Sequence, residues 1–413
     1  MITYNVLAPK TLNITVKLPA SKSISNRALI MSAISGGEPI PENLSDCDDT
    51  EVMIDALRDM PYEIDIKAGG TAMRFMTAYL STTPGEHIIT GTERMKHRPI
   101  GILVDSLRVL GADIEYVGEK GFPPLLIKGH PLDGGHLRIE GSISSQFISA
   151  LLMIGPTMKK NLSLQLTGDI ISRPYIDLTL GMMRDYGVRP MWTGVDTISV
   201  SPSKYEPREY FIENDWSAAS YWYEMLALVD DEESEIRLTG LMDGSSQGDT
   251  IVKYIFSLLG VKTVFENNKL GQPTTVVLKR YQRTVPQMRF DFTNCPDLAQ
   301  TVVCTCCGMG IPFDFTGLST LKIKETDRIE ALKTELLKLG FVLQDKNNNE
   351  LIWTGVRCEP TMEPIETYED HRMAMAFAPL AMKINGIRIN NPEVVSKSYP
   401  NYWADLKSCG FTL

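Results

Sequence analysis

The chain has 413 residues, enough for two or more domains, and its 43% hydrophobic and 22% charged residues are the balance of an ordinary globular protein. A net charge of −10 excludes a general nucleic-acid face, which needs a basic surface, so any anion site must be local. The N-terminal MITYNVLAPKTLNITVKLP lacks the cationic and apolar segments of a signal peptide, no stretch is as long as a membrane span, and the seven cysteines are odd in number and unevenly spaced. These features predict a soluble cytoplasmic protein with neither nucleic acid nor membrane as a partner.

In chain order, the first predicted element is a strand within about residues 2–18, expected to pair into the second half of the molecule. LPASKSISNRALIM, residues 18–31, then reads as a helix that begins near Ser23 to Ser25 with a hydroxyl N-cap. Lys22 and Arg27 sit at that start. The unpaired N–H groups there already amount to roughly half a positive charge, so something negative should dock.

The same kind of helix start recurs: SISNRALIM, GGTAMRFM, SSQFISALLM, DWSAASYWY, CPDLAQTVV and DHRMAMAFA. Their markers Asn26, Thr71, Ser145, Ser217, Pro296 and Asp370 lie 45, 74, 72, 79 and 74 residues apart. A second, amphipathic helix type interleaves with it, in DDTEVMIDALRDM, RPIGILVDSLRVLG, RPYIDLTLGMMRDYG, QGDTIVKYIFSLLG, KETDRIEALKTELLKLG and YPNYWADLKSCG. Five of these six end in Gly, the residue suited to a left-handed C′ position, and Pro99, Pro174 and Pro400 are read as first-turn prolines. Strands such as IITG, LQLTG, IRLTG and FDFTG precede the second type, and IEYV, LLIKG and HLRIE follow. Each copy therefore reads βαβαββ, and there are six.

The first helix type is apolar all round and the second is not, which predicts buried inner helices with amphipathic outer ones. The expected fold is α/β (α+β), in two pseudo-threefold domains of three βαβαββ copies each, an inside-out α/β barrel. The predicted domains are residues 19–213, and residues 1–18 with 214–413. The first copy is short, with 21 residues from Thr50 to Thr71 where equivalent stretches run to 46, 43, 48 and 44, so about two strands are missing.

Inner helices pointing their N-termini one way would aim several positive dipole ends at one crevice. Near helix or strand ends the chain carries Lys22, Arg27, Arg74, Arg98, Arg173, Lys324, Arg328, Arg372 and Lys397, a set that fits a substrate or substrate pair bearing several phosphates or carboxylates. Asp297, Glu325 and Asp370 lie among these cations. Asp370 reads equally as an N-cap, and Glu325 as a salt-bridge partner of Lys324 or Arg328. Cys304, Cys306 and Cys307 lack a second ligand pair and read as buried helix thiols rather than a metal site. His371 stands among the charged residues, whereas His87, His97, His130 and His136 are expected in solvent-facing loops.

SKSISNRA, GGTAMR, RMKHRPIG, GSISSQF, ISRPYID, IKETDRI and YEDHRMAM, in this order over essentially the whole chain, resemble the 3-phosphoshikimate 1-carboxyvinyltransferase (5-enolpyruvylshikimate-3-phosphate synthase) family. The resemblance implies transfer of the enolpyruvyl group of phosphoenolpyruvate to the 5-hydroxyl of shikimate 3-phosphate, with release of phosphate, and no metal or organic cofactor. It implies small anionic substrates as partners and a monomer. Carried over by motif, Lys22, Ser23, Arg27, Ser144, Ser145, Gln146, Ser172, Asp297 and Lys324 would meet shikimate 3-phosphate. Lys22, Gly70, Arg98, Gln146, Arg328, Arg372 and Lys397 would hold phosphoenolpyruvate. Asp297 would take the hydroxyl proton, Glu325 would serve the methylene carbon, and Lys22 the leaving phosphate. The chain departs from the family pattern at Ala68, Phe75 and Thr320, where a polar Asn or Asp, a Pro and an Asn are usual. Two other readings stand beside this one. UDP-N-acetylglucosamine carboxyvinyltransferase carries a reactive cysteine on a mobile loop where TERMKHRP has none; a catalytically silent phosphate-ligand binder is suggested by the short first copy and opposed by Asp297, Glu325 and Lys22.

Overall fold

The computed structural model describes residues 2–266, 269, 271–282 and 285–413. The chain divides into unit 1, Met1–Pro19 with Glu213–Leu413, and unit 2, Ala20–Ile212. Unit 1 begins with β1 (Thr3–Val6) and β2 (Asn13–Lys17). Unit 2 follows with α1 (Lys22–Ser35), α2 (Asp48–Asp59), β3 (Glu63–Asp65), α3 (Gly70–Thr82), β4 (Gly85–Thr90), α4 (Glu93–Lys96), α5 (Gly101–Val109), β5 (Asp113–Tyr116) and β6 (Leu125–Gly129). It continues through β7 (Gly135–Glu140), α6 (Ser145–Ile154), β8 (Leu162–Thr167), α7 (Arg173–Asp185), β9 (Met191–Trp192) and β10 (Thr197–Val200). Unit 1 resumes with α8 (Trp216–Leu228), β11 (Glu235–Met242), α9 (Val252–Leu258), β12 (Val261–Glu266), β13 (Pro273–Arg280), β14 (Met288–Asp291) and α10 (Ala299–Met309). It ends with β15 (Phe313–Thr316), α11 (Arg328–Lys338), β16 (Gln344–Lys346), β17 (Glu350–Trp353), α12 (His371–Phe377), β18 (Ile387–Asn390) and α13 (Tyr402–Ser408).

Four βαβαββ copies are complete, and their four-stranded sheets share one strand order: β3-β4-β6-β5, β7-β8-β10-β9, β2-β11-β13-β12 and β14-β15-β17-β16. In each, the first two strands are parallel and the rest antiparallel. A parallel pair needs a long crossover, which the inner helix supplies, whereas the last two strands close as a hairpin. A fifth copy repeats the order more thinly: Ile365 bridges Ile389 in parallel, β18 pairs antiparallel with β1, and Leu7 bridges Thr412. In the sixth, Glu42 bridges Phe211 in parallel, and the chain then runs from α2 straight to β3. Its third and fourth strands are absent among the described residues, which locates the shortening expected between Thr50 and Thr71.

The inner helices α1, α3 and α6 pack on one another in unit 2, as α8, α10 and α12 do in unit 1. Each triplet centres its own apolar core. Among the described residues no helix is long and apolar enough to cross a membrane.

Several local expectations need correction. The first helix starts at Lys22, with Ser21 as an extended N-cap that makes no side-chain cap bond. The Ser25 hydroxyl is not free to cap, because it accepts from the Ser45 N–H at 3.0 Å. The N-terminal segment is two strands in different sheets rather than one; Pro9, which has no N–H to donate, lies in the break. Only Pro174 lies in a first helical turn, since Ile100 and Asn401 are the N-caps after Pro99 and Pro400. His87 is an inward-facing residue of β4, buried with Nδ1 2.8 Å from the Pro61 carbonyl oxygen.

Candidate active site

In unit 2 the predicted residues gather at the starts of α1, α3, α6 and α7. Lys22, the first residue of α1, pairs with Asp49 at 3.2 Å, and this contact accommodates its charge at a positive helix end. Arg27 points inward and is 2% exposed. Its Nε donates to Thr179 Oγ1 at 2.7 Å, Nη1 to the Ser23 carbonyl at 2.8 Å, and Nη2 to Ser149 Oγ at 3.1 Å and the Tyr175 carbonyl at 3.4 Å. Its guanidinium also lies 5.3 Å from the centre of the Phe75 ring. Burial pulls this guanidinium down to about 10. Among the described residues it has no carboxylate partner, so a buried cation faces only neutral oxygens and a ring.

Gly70, the first residue of α3, makes room for two arginines: a Cβ there would stand 2.6 Å from Arg98 Nη1 and 2.9 Å from Arg74 Nη1. Arg74 Nη1 donates to the Gly70 carbonyl at 2.8 Å. Gln146, on the first turn of α6, donates to Thr71 Oγ1 at 3.0 Å, and the Ser144 hydroxyl caps that helix by accepting from the Gln146 N–H at 3.3 Å. Ser145 is buried beside it. Ser172 precedes α7 in the left-handed conformation, φ 56°, and makes no cap bond. Arg173 does not join the group. It stacks on Trp192 at 4.2 Å and pairs with Asp177 at 3.7 Å, as a partly exposed surface cation.

Unit 1 holds its cations differently. Arg328, the first residue of α11 and 1% exposed, is the hub: Nε donates to Asp370 Oδ2 at 2.7 Å, Nη1 to Asp297 Oδ1 at 3.1 Å and Nη2 to Glu325 Oε2 at 2.9 Å. Burial opposes its charge, yet Asp370, Glu325 and Asp297 raise the guanidinium above its ordinary value. Asp297 also meets Arg372 at 3.0 Å and Lys324 at 3.7 Å. Burial again opposes ionisation, but Arg372, Lys324 and Arg328 hold the carboxyl well below the usual carboxylate range. Glu325 takes Lys397 at 3.0 Å together with Arg328, so of its two expected partners Arg328 is present and Lys397 stands in place of Lys324. Lys324 lies instead at the end of a short 3-10 helix, turned to Asp297. Asp370 is the N-cap of α12, accepting from the Arg372 N–H at 2.9 Å, and it is wholly buried.

The sequence left three partners unassigned. Asp49 holds Lys22, and Tyr221 takes Arg372 Nη1 on its hydroxyl at 3.3 Å. Asp249 accepts from Ser217, and burial followed by the neighbouring Asp297 pushes it up to about 7. A signal for two of them existed: Asp-Thr occurs at 49–50 and again at 249–250, at matching starts of the second helix type. His371 is buried with Nδ1 3.8 Å from Asp370. Cys304, Cys306 and Cys307 are buried free thiols of α10, and among the described residues no three His, Cys, Asp or Glu side chains are grouped to hold a metal.

Comparison with known proteins shows the family of the chain. A model of the family described as EPSP synthase (3-phosphoshikimate 1-carboxyvinyltransferase) matches residues 6–65 and 61–406. The chain is 56% identical over 409 residues to a 3-phosphoshikimate 1-carboxyvinyltransferase of Bacteroides fragilis, covering 99% of this chain and 98% of that one. It is 34% identical to the enzyme of the same name from Photobacterium damsela subsp. piscicida, covering 96% of each. A solved EPSP synthase from Acinetobacter baumannii superposes over 100% of both chains with a TM-score of 0.79 at 22% identity, a likeness of fold. The chain therefore belongs to the EPSP synthase (3-phosphoshikimate 1-carboxyvinyltransferase) family.

Proposed function

We infer that this chain joins C2 of phosphoenolpyruvate to the 5-hydroxyl oxygen of shikimate 3-phosphate and releases inorganic phosphate, a step toward the aromatic amino acids. The observation that carries the reading is one guanidinium, that of Arg328, bonded to both Asp297 and Glu325 inside a group of four cations.

The reaction is an addition followed by an elimination. In the addition, the hydroxyl loses its proton as its oxygen bonds to C2, and the methylene carbon gains a proton to become a methyl group. In the elimination, the methyl carbon returns a proton, the double bond reforms, and the C2–O bond to phosphate breaks. Asp297 is suited to take the hydroxyl proton because its neighbours keep it ionised. Substrate phosphates that engage Arg372 and Lys324 draw those cations away from it and raise its basicity when a proton must move. Glu325 carries the proton to and from carbon, its position set by Arg328 and Lys397. Lys22 meets the departing phosphate. In unit 2, Arg27 and the hydroxyls of Ser144, Ser145 and Ser172 suit shikimate 3-phosphate, and Arg98 at Gly70 suits the charge of phosphoenolpyruvate; in unit 1, Arg372 and Lys397 suit that charge as well.

Phosphate release from the purified chain tests this. Release should require both substrates, and Glu325→Gln should slow it by about 100-fold or more while leaving binding of shikimate 3-phosphate intact. No release from the unaltered chain at saturating substrates would return the silent binder as the better reading.

A further inference from the structure

We propose that Phe75 is a positioning residue for shikimate 3-phosphate: its ring holds the Arg27 guanidinium in place without neutralising it. Phe75 acts through Arg27, so its role depends on the functional reading given above. Arg27 sits on α1 and Phe75 on α3, 2% and 0% exposed, with the guanidinium carbon 5.3 Å from the ring centre. Among the described residues, every hydrogen bond of the Arg27 side chain goes to a neutral oxygen, of Ser23, Ser149, Tyr175 or Thr179.

The contrast with Arg328 shows what such a cradle does. Asp370, Glu325 and Asp297 position Arg328, but they also cancel its charge. A ring face attracts a cation through its quadrupole and carries no net charge, and carbonyl and hydroxyl dipoles act in the same way. Arg27 is thereby fixed with its full charge and one of its five donors, on Nη1, still to be used by an anion. A proline at position 75, which the family pattern leads one to expect, offers no such face. Leucine would fill much of the same core space and would also lack it.

Calorimetric titration of the full chain with shikimate 3-phosphate tests the proposal, alongside steady-state kinetics and a melting curve for each variant. Phe75→Leu should weaken shikimate 3-phosphate binding about five- to thirtyfold, the range of a desolvated cation–π contact. The KM for phosphoenolpyruvate and the kcat should change less than about twofold. In an Arg27→Gln background the same Phe75→Leu change should alter affinity by less than about twofold, because the cation it acts through is gone. Unchanged affinity in Phe75→Leu, or an equal loss in both backgrounds, overturns the proposal while the functional reading stands. An unaltered chain that binds no shikimate 3-phosphate overturns both.

Discussion

Glu224 lies on the inner helix α8, 0% exposed, and among the described residues neither of its carboxyl oxygens has a hydrogen-bond partner. Burial pushes this group well above the ordinary range, so it stays a neutral acid where surface carboxylates are ionised. It is the converse of Asp297, a carboxyl only partly enclosed, at 21% side-chain exposure, that three cations keep charged. Folded Glu224 keeps a proton that the unfolded chain gives up above its ordinary value of 4.5. Stability is therefore lost as pH rises from that value toward the folded one, by up to about 1.4 kcal/mol per pH unit. Glu224→Gln removes the titration. Its melting temperature relative to the unaltered chain should climb between about pH 5 and pH 8, and a difference that stays flat across that window would show that the folded carboxyl is already ionised there, as it is in the unfolded chain.

At the scale of elements, the second helix type ends in the same way six times although its sequence does so only five. Gly111, Gly187, Gly260, Gly340 and Gly410 have φ of 104°, 85°, 88°, 86° and 98°, and the sixth helix, α2, ends at Met60 with φ 41°. The left-handed conformation costs a residue with a Cβ about 1 kcal/mol, and glycine avoids that cost. Met60 is half-buried against the unit 2 core, which offsets part of the gain from its removal. Met60→Gly should still raise the urea midpoint by an amount equivalent to about 0.5 kcal/mol; a lower midpoint would mean that its side-chain packing outweighs the backbone strain. The inner helices were legible because ALIMSAI and ISALLMI are apolar all round, a pattern that only a central position satisfies. The missing strands were legible by counting residues. Other features depend on contacts that spacing does not encode. The start of α1 was misplaced because the Ser25 hydroxyl is taken by Ser45, and Lys397 was not seen as a partner of Glu325 because 72 residues separate them. The cations themselves were legible as an improbable set in an acidic chain. Apart from Arg328 with Glu325, which carboxylate holds which cation was not.

At the scale of the whole molecule, the two units differ in how they are encoded. Unit 2 is one continuous run, Ala20–Ile212, with its own core. Unit 1 borrows β1 and β2 from before that run. β2 forms an edge of the sheet β12-β13-β11-β2, parallel to β11 from Asn13 to Lys17, and β1 pairs with β18 from Thr3 to Val6. Val6, Leu12, Val16 and Leu18 are buried in the unit 1 core, at 0%, 0%, 3% and 1% exposure. At about 1.5–3 kcal/mol each, these four side chains contribute about 6–12 kcal/mol, comparable to the whole net stability of a typical domain, about 5–15 kcal/mol. A fragment of residues 20–212 should accordingly melt cooperatively, whereas residues 213–413 alone should show no cooperative transition. The unit can be restored by a short connection, because the Asp215 N–H donates to the Pro19 carbonyl at 3.0 Å and the Asn214 side chain to the Leu18 carbonyl at 2.7 Å. Residues 1–19 joined to residue 213 through a few Gly and Ser residues should recover a single sharp transition in circular dichroism. A cooperative melt of residues 213–413 without that segment would show that the borrowed strands decorate the second core rather than complete it.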